Sequence, residues 1–194
     1  MVSGVVLAAG ESSRMGQHKL LLKLGGEPLV RRVANQILEA GFDDVLVVVG
    51  YAHEAVVTAL NGLPVRHVVN TDYATGMGSS FRTATGALPD STAAMFALAD
   101  QPLLTSREYR QLLNAHHSTS NGIVSLRYGE VTAPPHLFAR RFFPELAQLE
   151  HGARPVLQRH TDVTTVLHFP PELLLDIDTP EDYERAKALF DRGR

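Results

Sequence analysis

The sequence predicts an α/β fold with a mainly parallel sheet, and the first part of the chain supplies the observations that indicate it. Short apolar segments rich in β-branched residues cover 2–9, 44–50 and 65–69, which is the pattern of strands buried on both faces. Between them, residues 29–38 and 53–60 carry apolar side chains at helical spacing. This strand–helix–strand–helix–strand order is typical of right-handed βαβ units.

The second half of the chain continues the alternation less regularly. The elements predicted there are helices over 79–88, 106–117 and 141–149, strands over 93–99, 122–127 and 163–168, and a last helix opening at Thr179-Pro180. Residues 133–138 contain Pro134 and Pro135, so we predict an irregular or edge strand there, because proline cannot donate to a central ladder. No internal repeat or linker interrupts the chain, which predicts one domain over 1–194.

Composition excludes several classes of function. The chain has 194 residues, a formal charge of −3, 44% hydrophobic residues and no cysteine. Without cysteine there are no disulfides, thiolate metal sites or cysteine nucleophiles, and the mild acidity argues against nucleic acid. No apolar stretch approaches the ~18–20 residues that span a bilayer, and the N-terminus lacks the basic start of a signal peptide. We therefore expect a cytoplasmic protein that acts on small molecules, with no nucleic-acid or membrane partner.

A basic loop follows the first predicted strand. Residues 11–23 carry three basic side chains, Arg14, Lys19 and Lys23, against the single acid Glu11, which inverts the sign of the whole chain. Glycines in the same loop let backbone N–H groups approach a ligand, so the loop favours a polyphosphate. The sequence is neither G-x-x-x-x-G-K-[ST] nor G-x-G-x-x-G, which excludes the two best-known phosphate loops. The alternative is an ordinary glycine-rich turn with solvated basic residues.

Carboxylates follow two other apolar segments. Asp100 comes directly after the predicted strand 93–99, and Asp176 and Asp178 leave an apolar stretch that we interpret as a strand. Ligands of an open parallel sheet bind beyond the carboxyl ends of its strands, where Mg²⁺ bridges one or two carboxylates to phosphate oxygens. Each acid on its own is equally compatible with a turn or a helix cap, but together with the basic loop they predict a metal–triphosphate site.

These segments resemble the motifs of the small nucleotidyltransferases, and most closely those of the molybdenum cofactor cytidylyltransferases (MocA type) in the MobA-like superfamily. The motifs that carry the resemblance are Leu7-Ala8-Ala9-Gly10-x-Ser12-x-Arg14-Met15-Gly16-x-x-Lys19, Asn70-x-x-Tyr73-x-x-Gly76-Met77-x-Ser79-Ser80, Asp100-Gln101-Pro102-Leu103 and Leu175-Asp176-Ile177-Asp178-Thr179-Pro180. They occur in the family's order and span almost the whole chain.

The resemblance implies a Rossmann-like three-layer α/β/α nucleotidyltransferase domain with a mixed, mostly parallel sheet. Its nucleotide-binding half would cover about 1–105 and its acceptor-binding half about 106–194. The implied reaction transfers CMP from CTP to the terminal phosphate of molybdopterin or the molybdenum cofactor and releases pyrophosphate. Mg²⁺ is the implied cofactor, and a molybdoenzyme would receive the product.

The resemblance also assigns roles to residues. Arg14, Lys19 and Asp100 would be catalytic, and Asp100 with Asp178 would hold Mg²⁺, although the choice between Asp176 and Asp178 stays open. The implied nucleotide-binding residues are Leu7, Ala8, Ala9, Gly10, Ser12, Ser13, Arg14, Lys19, Asn70, Gly76, Ser79 and Ser80. Ser79 is equally compatible with a helix cap. His136 in the proline-containing strand is a candidate acceptor-binding residue, the alternative being a core or surface histidine.

Two other functions fit the same motifs. One is a different nucleotidyltransferase, either a guanylyltransferase of the same cofactor or an enzyme for another phosphorylated acceptor. The other is a non-catalytic chaperone that binds the molybdenum cofactor. The chaperone would have no need of Arg14, Lys19, Asp100 and Asp178 together, and the base of the preferred nucleotide discriminates the transferases.

Overall fold

The computed structural model describes residues 1–11, 15, 18–119 and 122–192. Its strands are β1 (Val2–Ala8), β2 (Lys23–Leu24), β3 (Glu27–Pro28), β4 (Asp44–Val49), β5 (Arg66–Val69), β6 (Ala93–Leu98), β7 (Ile123–Tyr128), β8 (Val131–Ala139) and β9 (Thr164–Phe169). Its α-helices are α1 (Leu29–Ala40), α2 (His53–Ala59), α3 (Met77–Gly86), α4 (Ser106–Thr119), α5 (Phe143–Leu146), α6 (Arg154–Arg159) and α7 (Pro180–Arg192). None of the helices in these ranges is long and apolar enough to cross a membrane.

Within the described ranges, seven strands form one mixed sheet in the order β5-β4-β1-β6-β8-β7-β9. The four strands of the first half are mutually parallel, with β1 paired to both β4 and β6. Strand β8 runs antiparallel to β6 and β7, and β9 is again parallel to β7. Strands β2 and β3 form a separate two-stranded ribbon. The predicted mixed, mostly parallel sheet is confirmed.

Helices cover both faces of this sheet. Val6 of β1 lies in one buried cluster with Val33 and Ile37 of α1. Its neighbour Leu7 lies in a second cluster with Phe81 of α3, because successive side chains of a strand point to opposite faces. The fold therefore has the three α/β/α layers that the sequence predicts.

The proline-containing strand was predicted to be irregular or at an edge; β8 is irregular, but the edge alternative is wrong because β8 lies inside the sheet between β6 and β7. The ladder with β6 ends at His136, so neither Pro134 nor Pro135 has to form a backbone hydrogen bond to β6. The ladder with β7 shifts register between Ser125 and Leu126, whose partners are His136 and Ala133. Pro134 and Pro135 occupy this irregularity, so an interior strand accommodates them without losing a regular hydrogen bond.

Two other predicted elements differ from the structure. Residues 174–178 form no strand, and the Ile177 amide donates to the Asp100 carbonyl at 3.0 Å. The helix predicted from Ser79 begins at Met77. Ser79 is therefore inside the helix, and its hydroxyl donates to the Gly76 carbonyl at 2.7 Å instead of capping the N-terminus.

The start of α3 is fixed against the segment that follows α5. The Gly78 amide donates to the Glu150 carbonyl at 3.1 Å. A Cβ at Gly78 would lie 1.8 Å from the Leu149 carbonyl oxygen, so only glycine permits this approach. Gly76, two residues earlier with φ +115°, lies against the same segment, because a Cβ there would be 2.9 Å from the Glu150 carbonyl oxygen.

We expect Gly78→Ala to destabilise the protein by about 1–3 kcal/mol, because the added methyl must push two backbone segments apart. Gly86→Ala is the matched control in the same helix, since a Cβ there meets no described atom within 4 Å. The control should be neutral or stabilising by up to ~1 kcal/mol. Urea unfolding of both variants measures the difference, and equal stabilities would contradict the close approach.

Candidate active site

A cavity of about 320 Å³ opens at the carboxyl ends of β1 and β6. The residues of the sequence-predicted site that line it are Leu7, Ala8, Ala9, Gly10, Lys19, Gly76, Ser80, Asp100 and Asp178. They come from five separate parts of the chain, and the sheet topology brings them to one edge.

A cluster of one ammonium and two carboxylates lies in this cavity. The Lys19 Nζ donates to Asp100 Oδ2 at 2.6 Å and to Asp178 Oδ1 at 2.8 Å. The Lys19 side chain is only 12% exposed. Its burial alone would lower the pKa of the ammonium, but attraction and hydrogen bonds from Asp100 and Asp178 outweigh it, so the pKa lies above its usual value. Lys19 is therefore charged at neutral pH, and among the described side chains of the cluster one ammonium faces two carboxyl groups.

The donor set of this cluster fits a hard divalent cation. Asp100 Oδ1 is buried and has no hydrogen-bond partner among the described residues. Asp100 Oδ2 and Asp178 Oδ1 contact the same nitrogen, which places the two carboxylates side by side. The described residues hold no group of three or more His, Cys, Asp or Glu that could bind a metal. Two carboxylates are nevertheless sufficient for Mg²⁺, which completes its coordination with water and phosphate.

Asp176 has different surroundings from Asp178. Its Oδ1 accepts a hydrogen bond from Gln101 Nε2 at 2.7 Å, and it does not line the cavity. Partial burial and the charges of Asp100 and Asp178 raise the pKa of Asp176 above its usual value. The structure thus separates the two acids that the sequence left equivalent, and Asp178 is the one that meets Asp100 and Lys19.

The glycine at the end of β1 borders open space. Gly10 is exposed, and a Cβ there would meet no described atom within 4 Å, so packing of the described residues does not require glycine at this position. By contrast, a Cβ at Gly50 would lie 2.8 Å from both the Ala9 carbonyl and the Tyr73 Cβ. Gly50 thus lets the C-terminal end of β1 pack close to Tyr73. Gly10 leaves space in which a ligand can contact the backbone.

The polar residues of the 70–80 segment divide into two groups. Asn70 is 1% exposed, and its Nδ2 donates to Ser79 Oγ at 2.8 Å and Ser80 Oγ at 3.1 Å. Asn70 and Ser79 do not line the cavity, whereas Ser80 does. Asn70 therefore holds the first turn of α3 in place through its two serine contacts. Of the two serines, only Ser80 borders the cavity.

Three predicted residues, Ser12, Ser13 and Arg14, lie outside the described residues. His136 is described and lies apart from the cluster. It lines a second, larger cavity of about 690 Å³.

Four cavity residues were missed by sequence reasoning. Leu20, Tyr73, Met77 and Leu98 line the smaller cavity, and Met77 is 41% exposed at the first turn of α3. Tyr73 and Met77 stand inside a quoted motif, but an aromatic or methionine side chain is more often a core residue. The exposure that marks Met77 as a site residue is visible only in the structure, so the sequence offered no signal for it beyond its place in the motif.

The chain is similar to known proteins over most of its length. Residues 4–163 match the model of the MobA-like NTP transferase domain. The nicotine blue oxidoreductase of Paenarthrobacter nicotinovorans is 36% identical over 157 residues, covering 80% of this chain and 74% of that protein.

Two solved structures are similar over nearly their whole length. One is a nucleotidyl transferase from Methanothermobacter thermautotroptrophicus, with a TM-score of 0.88 and 27% identity, covering 100% of this chain and 99% of that one. The other is Rv0371c from Mycobacterium tuberculosis H37Rv in complex with manganese, with a TM-score of 0.80 and 29% identity over 96% of this chain and 98% of that one.

Proposed function

The chain belongs to the MobA-like NTP transferase domain family, and from this premise we propose that it is a Mg²⁺-dependent cytidylyltransferase of the molybdenum cofactor. Its fold is a nucleotidyltransferase fold, and nucleotidyl transfer is the class of activity that the family supports. The proposed reaction joins CMP from CTP to the terminal phosphate of molybdopterin, or of its molybdenum-loaded form. A molybdoenzyme would receive the product.

The observation that carries the proposal is the contact of Lys19 with both Asp100 and Asp178 inside a cavity walled by the Ala8–Gly10 backbone. One ammonium against two carboxylates leaves a net negative charge, which repels a triphosphate. A divalent cation at the carboxylates reverses this charge and frees the Lys19 ammonium for phosphate oxygens. The site is thus expected to bind a nucleotide with a metal far better than a nucleotide alone.

The proposed chemistry needs no covalent enzyme intermediate. An oxygen of the acceptor phosphate is already ionised at neutral pH and forms a bond to the α-phosphorus of CTP, while the bond from that phosphorus to the β-phosphate bridging oxygen breaks. Pyrophosphate leaves with the electron pair. Lys19, and Arg14 by resemblance, would hold charge on the departing pyrophosphate, and the metal when bound would act as a Lewis acid for phosphoryl oxygens.

A thermal-shift panel with CTP, GTP, ATP and UTP, each with and without Mg²⁺, tests the nucleotide half of the proposal. A ligand at about one hundred times its dissociation constant stabilises the folded state by roughly 2.7 kcal/mol, or about 5–10 °C for a chain of this size. We expect a shift with CTP that requires Mg²⁺. A GTP preference would move the assignment to guanylyl transfer, and no shift with any nucleotide would contradict nucleotide binding.

Pyrophosphate release with CTP and molybdopterin then tests the acceptor. Release that requires both substrates supports the proposed reaction. Tight binding of molybdopterin without pyrophosphate release would favour the non-catalytic chaperone. Release only with a different phosphorylated acceptor would support a nucleotidyltransferase whose acceptor is not molybdopterin.

One relative favours a second candidate function. The relative that is 36% identical is named an oxidoreductase, and the second cavity of this chain is mostly apolar. Such a cavity suits binding of a flat apolar compound, and the second candidate function is reduction of that compound by hydride from a nicotinamide cofactor. Incubation with NADH or NADPH and an oxidised aromatic dye tests this, and loss of the nicotinamide absorbance that depends on the protein would support it.

A further inference from the structure

The second cavity adjoins the smaller cavity, which contains Lys19, Asp100 and Asp178. Leu7, Met77 and Leu98 line both, so the two cavities lie side by side over the ends of β1 and β6. The larger part extends over β6, β8 and β7 and has a volume of about 690 Å³, within the range of small-molecule sites. On the proposed function, this part lies where the acceptor must bind.

The wall of the second cavity contains no buried charge among the described residues. Its charged side chains, Glu130 and Arg154, are both exposed, and Glu130 pairs with Arg127 at 3.0 Å. The inner wall is made of apolar side chains such as Phe81, Phe96 and Leu157. An ionised group buried here would lose its hydration without gaining a counter-charge, so the cavity favours an uncharged occupant.

A polar pair interrupts this apolar floor. Phe96, His136 and Ser125 are register partners across β6, β8 and β7, so they present their side chains on one face of the sheet. His136 is 5% exposed and Ser125 is 1% exposed. The Ser125 hydroxyl and the His136 Nδ1 are 3.0 Å apart. Burial lowers the pKa of His136 to about 3, so the ring is neutral.

Either atom of this hydrogen bond can be the donor, and the direction fixes which ring nitrogen carries the proton. Ser125 is buried, and the one hydrogen-bond partner that the structure gives its hydroxyl is Nδ1 of His136. A buried hydroxyl that donates to Nδ1 leaves the ring proton on Nε2. Donation by Ser125 gives its buried proton a partner, and because His136 borders the cavity, the Nε2–H of that tautomer is placed to donate to an occupant.

We propose that Ser125 fixes His136 as a neutral hydrogen-bond donor, and that this donor recognises an acceptor atom on an uncharged heteroaromatic ring of the acceptor substrate. The inference rests on the proposed function, because it assumes that the acceptor substrate binds in the second cavity. It also orients the acceptor: the ring lies over β8, and the phosphate points away from His136 towards Lys19 and Asp100.

Nitrogen NMR of the histidine rings tests the pair directly, without any nucleotide. In wild-type protein labelled at histidine nitrogen, His136 is expected to show its proton on Nε2 at neutral pH. Ser125→Ala should mix the two tautomers while leaving the fold intact by circular dichroism. A proton on Nδ1, or a charged ring at neutral pH, would overturn the proposal even if every variant failed to fold.

Two isosteric probes test recognition. Isoquinoline has a ring nitrogen that accepts a hydrogen bond, and naphthalene has the same shape without it. Ligand-observed NMR should show wild-type protein preferring isoquinoline by about fivefold to tenfold, the value of one hydrogen bond. His136→Phe, which keeps an aromatic ring, should abolish the preference and leave naphthalene binding, whereas His136→Gln retains an amide donor and should restore part of it.

An equal preference in wild type and His136→Phe would refute recognition by this ring. Ser125→Ala discriminates positioning from simple packing, because it should lower the preference while the His136 ring remains in place. All of these readouts are independent of CTP and metal. The acceptor-side inference and the nucleotidyltransferase proposal therefore fail by different observations.

Discussion

Asp100→Asn is expected to lower metal-dependent nucleotidyl transfer by at least about a thousandfold, which corresponds to several kcal/mol of lost electrostatic stabilisation. The substitution keeps the size of the side chain but removes the negative charge next to Lys19 and the buried oxygen that lacks a partner. An amide binds Mg²⁺ much more weakly than a carboxylate, so the metal-dependent thermal shift with CTP should disappear together with turnover.

Asp176→Asn is the matched control for this substitution. Asp176 lies near Asp100 in the 174–178 segment that carries Asp178, but it hydrogen-bonds Gln101 and does not line the cavity, and an asparagine oxygen still accepts that bond. We expect the control to retain transfer to within about tenfold, and Asp178→Asn to resemble Asp100→Asn. Rates are measured as pyrophosphate release across a Mg²⁺ titration. A larger loss in Asp176→Asn than in Asp178→Asn would reverse the assignment of the second carboxylate.

The parallel half of the fold was predictable because its local signals agree. The segments around Val5 and Val47 are apolar on both faces, and Gly41, whose φ is +93°, ends α1 as a glycine in the left-handed region. The position of β8 was not predictable by the same reasoning. Pro134 and Pro135 indicate an edge, but a register shift opposite Ser125 and Leu126 lets the strand lie inside. Such a shift depends on the partner strand and leaves no local trace.

The part of the candidate site that could be predicted is the part that follows from one rule: ligands of an open parallel sheet bind beyond the carboxyl ends of its strands. Asp100 and Asp178 lie at the predicted sheet edge, and the structure brings both to Lys19. The prediction that Asn70 contacts the nucleotide remains untested, although its amide is occupied by two serine hydroxyls beneath α3. The polar floor of the second cavity depends on cross-strand register, which pairs Ser125 with His136 over eleven residues of sequence. A linear pattern contains no signal of that pairing.

Lys19→Ala is expected to have opposite effects on metal binding and on turnover. In the wild type, the Lys19 ammonium contacts the carboxylate oxygens that a metal needs. Without Lys19, Asp100 and Asp178 lose the ammonium that they share, so the metal-free variant should be less stable by about 1–3 kcal/mol, between the values of exposed and buried pairs. Added Mg²⁺ or Mn²⁺ should therefore stabilise the variant more than it stabilises the wild type.

Transfer by Lys19→Ala should nevertheless fall by about a hundredfold to a thousandfold, because the charge on the departing pyrophosphate loses a fixed donor. Lys23→Ala is the control, since Lys23 belongs to the same basic segment but is exposed and does not line the cavity. Thermal unfolding with and without the cation, set beside pyrophosphate release, measures both effects. If the metal response and the rate of Lys19→Ala fell together, Lys19 would be organising the carboxylates for the metal; a stronger metal response with a lower rate assigns it to the phosphates.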